Sequence, residues 1–76
     1  MNLNDFVKAF ASEFDEIPAG QITFDTVYKD IDSWDSLAVL TIISLIDDEF
    51  EVTITGADLR SCATIKDLYE FVLSKQ

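Results

Sequence analysis

Histidine is absent from this chain, and with it goes the usual general base near neutral pH. No Ser/His or Cys/His nucleophilic pair can be assembled from the chain alone. Cysteine occurs once, as Cys62, so no internal disulfide forms, and no arrangement of ligands suggests a metal site. With no basic neighbour to lower its pKa, Cys62 reads as a small buried residue and not as a reactive thiol. Apolar runs reach nowhere near the roughly 18 residues of a membrane span, and no basic, apolar leader precedes the first helix pattern. A cytoplasmic location is therefore expected. Bases are scarce, five Lys and Arg against fifteen Asp and Glu, for a formal net charge of -10. That balance argues against nucleic acid as a partner and predicts attraction to basic protein surfaces.

What is present is enough for one small core. The 76 residues are 49% hydrophobic, close to the size below which a core alone becomes marginal, so a single domain over 1–76 is expected. Leu3, Phe6, Val7, Phe10 and Phe14 recur at i, i+3, i+4, i+7 and i+11, which predicts an amphipathic helix from Leu3 to about Glu16, capped by Asn2 or Asn4. Three phenylalanines on one stripe are core packing before they are a cofactor box. Pro18, within Ile17-Pro18-Ala19-Gly20, ends that helix.

Residues 17–34 are a long connection for so small a domain. Ile22, Phe24, Val27, Tyr28, Ile31 and Trp34 supply its apolar anchors, and a short helical turn is expected near Asp25 to Tyr28. Asp30, Asp32 and Asp35 open like a calcium loop, but the sixth position is Asp35 instead of glycine and the twelfth is Thr41 instead of glutamate. They read as solvated acids favouring a helix N-terminus, and no metal site is expected.

The centre of the sequence is Asp35-Ser36-Leu37 and the apolar run behind it. Asp35 and Ser36 are helix-starting residues. Between 37 and 46 only Thr41 and Ser44 are polar, so this helix is apolar beyond the single stripe a surface helix needs. Val39, Ile42, Ile43, Ile46 and Phe50 form the core stripe, which leaves Leu37 and Leu40 on other faces, with Leu45 at the boundary. Further on, Val52-Thr53-Ile54 alternates like a strand but has no partner, and reads as extended loop. Thr55 with Asp58, and Thr64 with Asp67, are capping boxes for a short helix to about Ser61 and a final helix from Ile65 to about Ser74. The final helix buries Ile65, Leu68, Tyr69 and Val72, helped by Phe71 or Leu73. The fold class is all-α, a small bundle of three main helices plus one short helix with a long first loop.

Asp35-Ser36-Leu37 ahead of an apolar helix, the acids Asp47, Asp48 and Glu49, and Phe50 together resemble the attachment motif and second helix of acyl carrier proteins. The resemblance extends over essentially the whole chain. It implies that Ser36 carries a covalent 4′-phosphopantetheine, installed by a phosphopantetheinyl transferase (the holo-carrier synthase) using coenzyme A and magnesium. The terminal thiol would hold acyl intermediates as thioesters, for fatty-acid or specialised acyl or polyketide biosynthesis, and the chain would be a carrier and not an enzyme. A serine at a helix start suits this, because the free N–H groups and helix dipole favour a phosphodiester there. The same resemblance makes Asp35 and Leu37 part of the recognised motif. It also makes Leu37, Leu40, Asp47, Asp48 and Glu51 the surface on which acyl-loading and acyl-using enzymes with basic faces would dock. Fatty-acid carriers usually have acids where this chain has Ala38 and Thr41, and a small residue where it has Trp34, so a specialised pathway fits as well. An aminoacyl or peptidyl carrier is the alternative within the class, and an unmodified helical interaction module is the alternative outside it. A monomer is expected.

Seven of the fifteen acids lie within 30–35 and 47–51, so self-repulsion should weaken the fold at low ionic strength. Salt, or magnesium at a few millimolar, is expected to raise the melting temperature without a specific metal site. A melting temperature indifferent to both would show that repulsion does not limit stability.

Overall fold

The computed structural model describes residues 1–18 and 20–76 and contains four α-helices, α1 (Leu3–Ala11), α2 (Ser36–Phe50), α3 (Gly56–Ser61) and α4 (Ile65–Ser74). Asn2, not Asn4, caps α1, its Oδ1 accepting from the Asp5 N–H at 2.8 Å. The helix stops at Ala11, five residues before the end predicted from its periodicity. Ser12 turns its hydroxyl back to the Ala9 carbonyl at 2.7 Å, and the chain tightens into i→i+3 turns, Glu13 N–H to Phe10 O and Phe14 N–H to Ala11 O. Serine competes for backbone in this way at helix ends. Phe14 stays buried through the turn, which is why the apolar spacing outlasts the helix. Ala19, within the segment expected to end α1, lies outside the described residues.

α2 follows its sequence pattern closely. Ile42, Ile46 and Phe50 are buried, Val39, Ile43 and Leu45 pack half-buried against them, and Leu37 and Leu40 are left exposed. Leu45 therefore belongs to the core side. The helix ends on Glu51 in the left-handed region, φ 57°, with its N–H on the Asp47 carbonyl. Such a cap is usually a glycine, and a side chain here carries a modest backbone cost. It reverses the chain so that Val52 and Ile54 drop into the core. Phe50 meets Phe6 edge-on at 5.6 Å, and both rings meet Tyr69 of α4 at about 6 Å. Edge-on aromatic contacts of this kind add to plain area burial.

α4 begins with a complete capping box between Thr64 and Asp67. Its first N–H groups, which no helix can satisfy internally, are taken by the long loop: Ile65 N–H by Thr26 O at 3.1 Å and Lys66 N–H by Phe24 O at 2.9 Å. Val27 and Thr64 form an isolated antiparallel bridge there. Phe24 and Val27, apolar anchors by their sequence, are both exposed. The loop is fastened at those positions by its backbone. The single turn of 3-10 helix spans Tyr28–Asp30, three residues later than the turn expected near Asp25 to Tyr28, because the fixed point is the buried ring of Tyr28.

Tyr28 is fully buried, and its hydroxyl donates to the Leu59 carbonyl with the Cys62 carbonyl 3.2 Å away. Burial, with the nearby Cys62 and Asp67 adding, holds the phenol well above its ordinary pKa. The fold thus favours the neutral form, and this contribution is complete below about pH 10, the pKa of an unfolded tyrosine, and is lost as pH rises past it. Tyr28→Phe is expected to cost about 1–3 kcal/mol at neutral pH through the unpaired carbonyls. Urea unfolding at neutral pH and at about pH 11 should show the native chain losing more stability on alkalinisation than the variant. Equal losses would remove Tyr28 as the alkaline-sensitive group.

Candidate functional site

The long loop delivers residues 33–35 to the start of α2 over an aromatic floor. Trp34 stacks nearly parallel on Phe10 (6.2 Å, 7°) and on Phe14 (6.2 Å, 28°), and leans on Tyr28 at 5.0 Å. The indole, which the sequence offers as an apolar anchor of the long loop, packs half-buried against the core cluster. The Ser33 hydroxyl donates to the Glu16 carboxylate, and that bond holds the Glu16 pKa below its ordinary value. Glu16 and Ser33 are 17 positions apart, and no local pattern links them. Sequence reading therefore missed this fastening.

Asp35 is the N-cap of α2. Its backbone is extended, and its Oδ1 accepts from the Ala38 N–H at 2.9 Å. Ser36 is then the first helical residue, exposed to solvent, with Leu37 beyond it 71% exposed. An exposed hydroxyl at a helix N-terminus suits a phosphodiester, since a covalent anion there meets the positive end of the helix dipole. Asp35 already occupies one of the free N–H groups and adds a negative charge of its own, so it orients the turn but does not attract the anion. The residues present fit a covalent phosphopantetheine: Ser36 is exposed, and the turn that carries it is capped by Asp35 and backed by the Trp34 stack.

The residues expected to dock partners fall on one face. Leu37, Leu40, Ser44, Asp47 and Asp48 follow each other at helical spacing and are all exposed, opposite the buried stripe of Ile42, Ile46 and Phe50. Glu51 is exposed as well, but it is the left-handed cap just past the helix and not a residue of it. Ala38 and Thr41 are half-buried beside this face, and the Thr41 hydroxyl is spent on the Leu37 carbonyl at 2.9 Å. The first turns of the face are therefore apolar and uncharged, and the acids lie at its far end. Among the described residues no group of three or more His, Cys, Asp or Glu side chains is placed to hold a metal ion. No helix in the described residues is long and apolar enough to cross a membrane.

A family model described as "Phosphopantetheine attachment site" matches residues 5–72. Two known proteins named acyl carrier protein, from two strains of Treponema pallidum, are each 29% identical over 69 residues, covering 91% of this chain and 88% of the relative. No solved structure matches significantly.

The cap and the charge of Asp35 can be separated. Asp35→Ala is expected to cost about 1 kcal/mol, whereas Asp35→Asn keeps a capping oxygen and should cost only a few tenths. Urea unfolding of the two variants checks this, and an Ala variant as stable as the native chain would mean that the 2.9 Å bond contributes nothing.

Proposed function

Since the chain belongs to the phosphopantetheine attachment-site family, we propose that Ser36 is the residue that bears its covalent 4′-phosphopantetheine and that the chain is an acyl carrier protein. The observation that carries this reading is the exposed Ser36 hydroxyl on the first turn of α2, behind a cap made by Asp35. A carrier of this kind is not an enzyme. The group, when bound, supplies a terminal thiol that holds cargo as a thioester on a flexible arm, raising its effective concentration at each partner.

This chain's own residues do the rest. Ser36 offers the oxygen that becomes the phosphodiester. Asp35 fixes the turn that presents this oxygen to solvent, and the Trp34 stack keeps the turn from moving against the core. Leu37 and Leu40 offer apolar area beside the arm, while Asp47, Asp48 and Glu51 draw in basic partner surfaces from a distance. Rim charges of that sort set association rates, and buried apolar anchors set how long a complex lasts. The phosphopantetheinyl transferase and the acyl-loading and acyl-using enzymes are the partners. Ala38 and Thr41 leave the first turns of the docking face without charge, which favours a specialised acyl or polyketide pathway over ordinary fatty-acid synthesis.

Co-expression with a phosphopantetheinyl transferase is expected to add the mass of one phosphopantetheine to the native chain and none to Ser36→Ala. Because Ser36 is exposed and is not itself the cap, the variant should retain stability within about 0.5 kcal/mol. A Ser36→Ala chain that still gained the mass would overturn the assignment, as would a native chain that never did.

A further inference from the structure

Arg60 is the only arginine in the chain, and it lies exposed on the last turn of α3. Its guanidinium reaches back to Gly56, the first residue of that helix. A Cβ placed on Gly56 would sit 3.5 Å from Arg60 Nη1 and 3.8 Å from Val39 Cγ1, so the cation rests where α3 meets α2. Ser36 precedes Val39 by three residues, and residues at that spacing are neighbours on a helix surface. A short row of neighbours thus leads from Ser36 through Val39 and Gly56 to the guanidinium. We infer that Arg60 binds the phosphodiester formed on Ser36 and holds the root of the arm against the seam between α2 and α3, an inference that rests on the carrier reading above.

Charge is the first argument. A phosphodiester on Ser36 adds an anion directly beside the Asp35 carboxylate, on a chain whose net charge is already -10, and like charges that close repel. A cation within reach offsets this. The other cations are placed elsewhere: Lys75 lies over the Phe71 ring at 5.3 Å, Lys8 faces the hollow on the α1 side, and Lys66 sits in the first turn of α4. Lys29 spends its ammonium on the Arg60 carbonyl at 2.7 Å. Fixity is the second argument. That bond and the one from Tyr28 to the Leu59 carbonyl clamp the end of α3, so Arg60 springs from a fixed backbone with a second positive charge beside it. Asp58, two residues earlier, is turned to the cap and accepts from the Thr55 N–H at 3.0 Å. Shape is the third argument. A planar guanidinium gives two parallel N–H bonds to a phosphate, which an ammonium does not. Gly56 carries no side chain to compete for that fork. Exposed charge pairs are weak, so the held state should be favoured about 1.4- to 5-fold.

The test uses the holo chain, made by co-expression with a phosphopantetheinyl transferase, and reads two NMR signals. The Arg60 Nε–Hε resonance, unambiguous for a lone arginine, should shift between apo and holo chains. That shift should fall by more than half between about 0.1 M and about 1 M salt, as the Debye length shortens from about 10 to about 3 Å. The phosphorus resonance of the arm is the second signal. Arg60→Gln should displace it, and Arg60→Lys, which keeps the charge and loses the fork, should displace it less. Gly56→Asp leaves the arginine in place but offers it an acid one turn away on its own helix, and should move the phosphorus resonance toward its position in Arg60→Gln. Melting of the three apo variants should stay close to the native value, and a purely structural role for Arg60 would leave the phosphorus signal where it is. If the holo chain's phosphorus signal ignores all three substitutions, or the Arg60 signal is the same in apo and holo chains, the contact is overturned and the carrier reading stands. If the native chain takes up no phosphopantetheine, both fall together.

Discussion

The ring and hydroxyl of Tyr28 are the point on which this small fold turns. The domain has a long connection and no disulfide, so something inside must hold that connection down. Tyr28 does so by filling the core with its ring, against Phe10 of α1 and Trp34 ahead of α2, and by bonding carbonyls at the end of α3. Three separate stretches of chain are tied by one side chain. Backbone bonds from Thr26 and Phe24 to the start of α4 complete the fastening. The loop can thus be long and still deliver Ser36 on a firm base.

Helices are legible wherever a side-chain pattern and a local cap agree. The capping boxes at Thr55 and Thr64, the Asp35 start and the core stripe of α2 all involve residues within a turn or two of each other, and each is found where its pattern predicts. The end of α1 escapes the pattern because burial of Phe14 does not require a helix, only a ring on the core side of a turn. The 3-10 turn is displaced, and Phe24 and Val27 fail as anchors, because the loop's course is decided by partners far along the chain, Leu59, Cys62 and Thr64. Spacing within a segment carries no information about those partners. The same limit hides the Glu16–Ser33 bond.

Charge and apolarity are kept apart on this surface. α2 carries its acids at the end where the helix dipole disfavours them, so their presence is not explained by the helix they sit on. Its first turns show leucine instead, beside the serine. On the docking proposed above, a basic partner approaching from solution would meet an attractive field at one end of the face and a greasy contact at the other, which would give the encounter a direction.

The position of Trp34 has a mechanical meaning. On the attachment proposed above, a group hung from Ser36 and gripped by a larger enzyme would put tension on the backbone at that residue. Two positions earlier the chain is clamped by an indole lying flat on Phe10 and Phe14, and one position earlier a side chain is bonded into the helix end. Tension entering there would be passed through these contacts to α1 and to the hydrogen-bonded length of α2. Ser36 would then act as a bracket bolted to the frame, so that a tug on the arm shifted the whole domain before it distorted the turn that holds it.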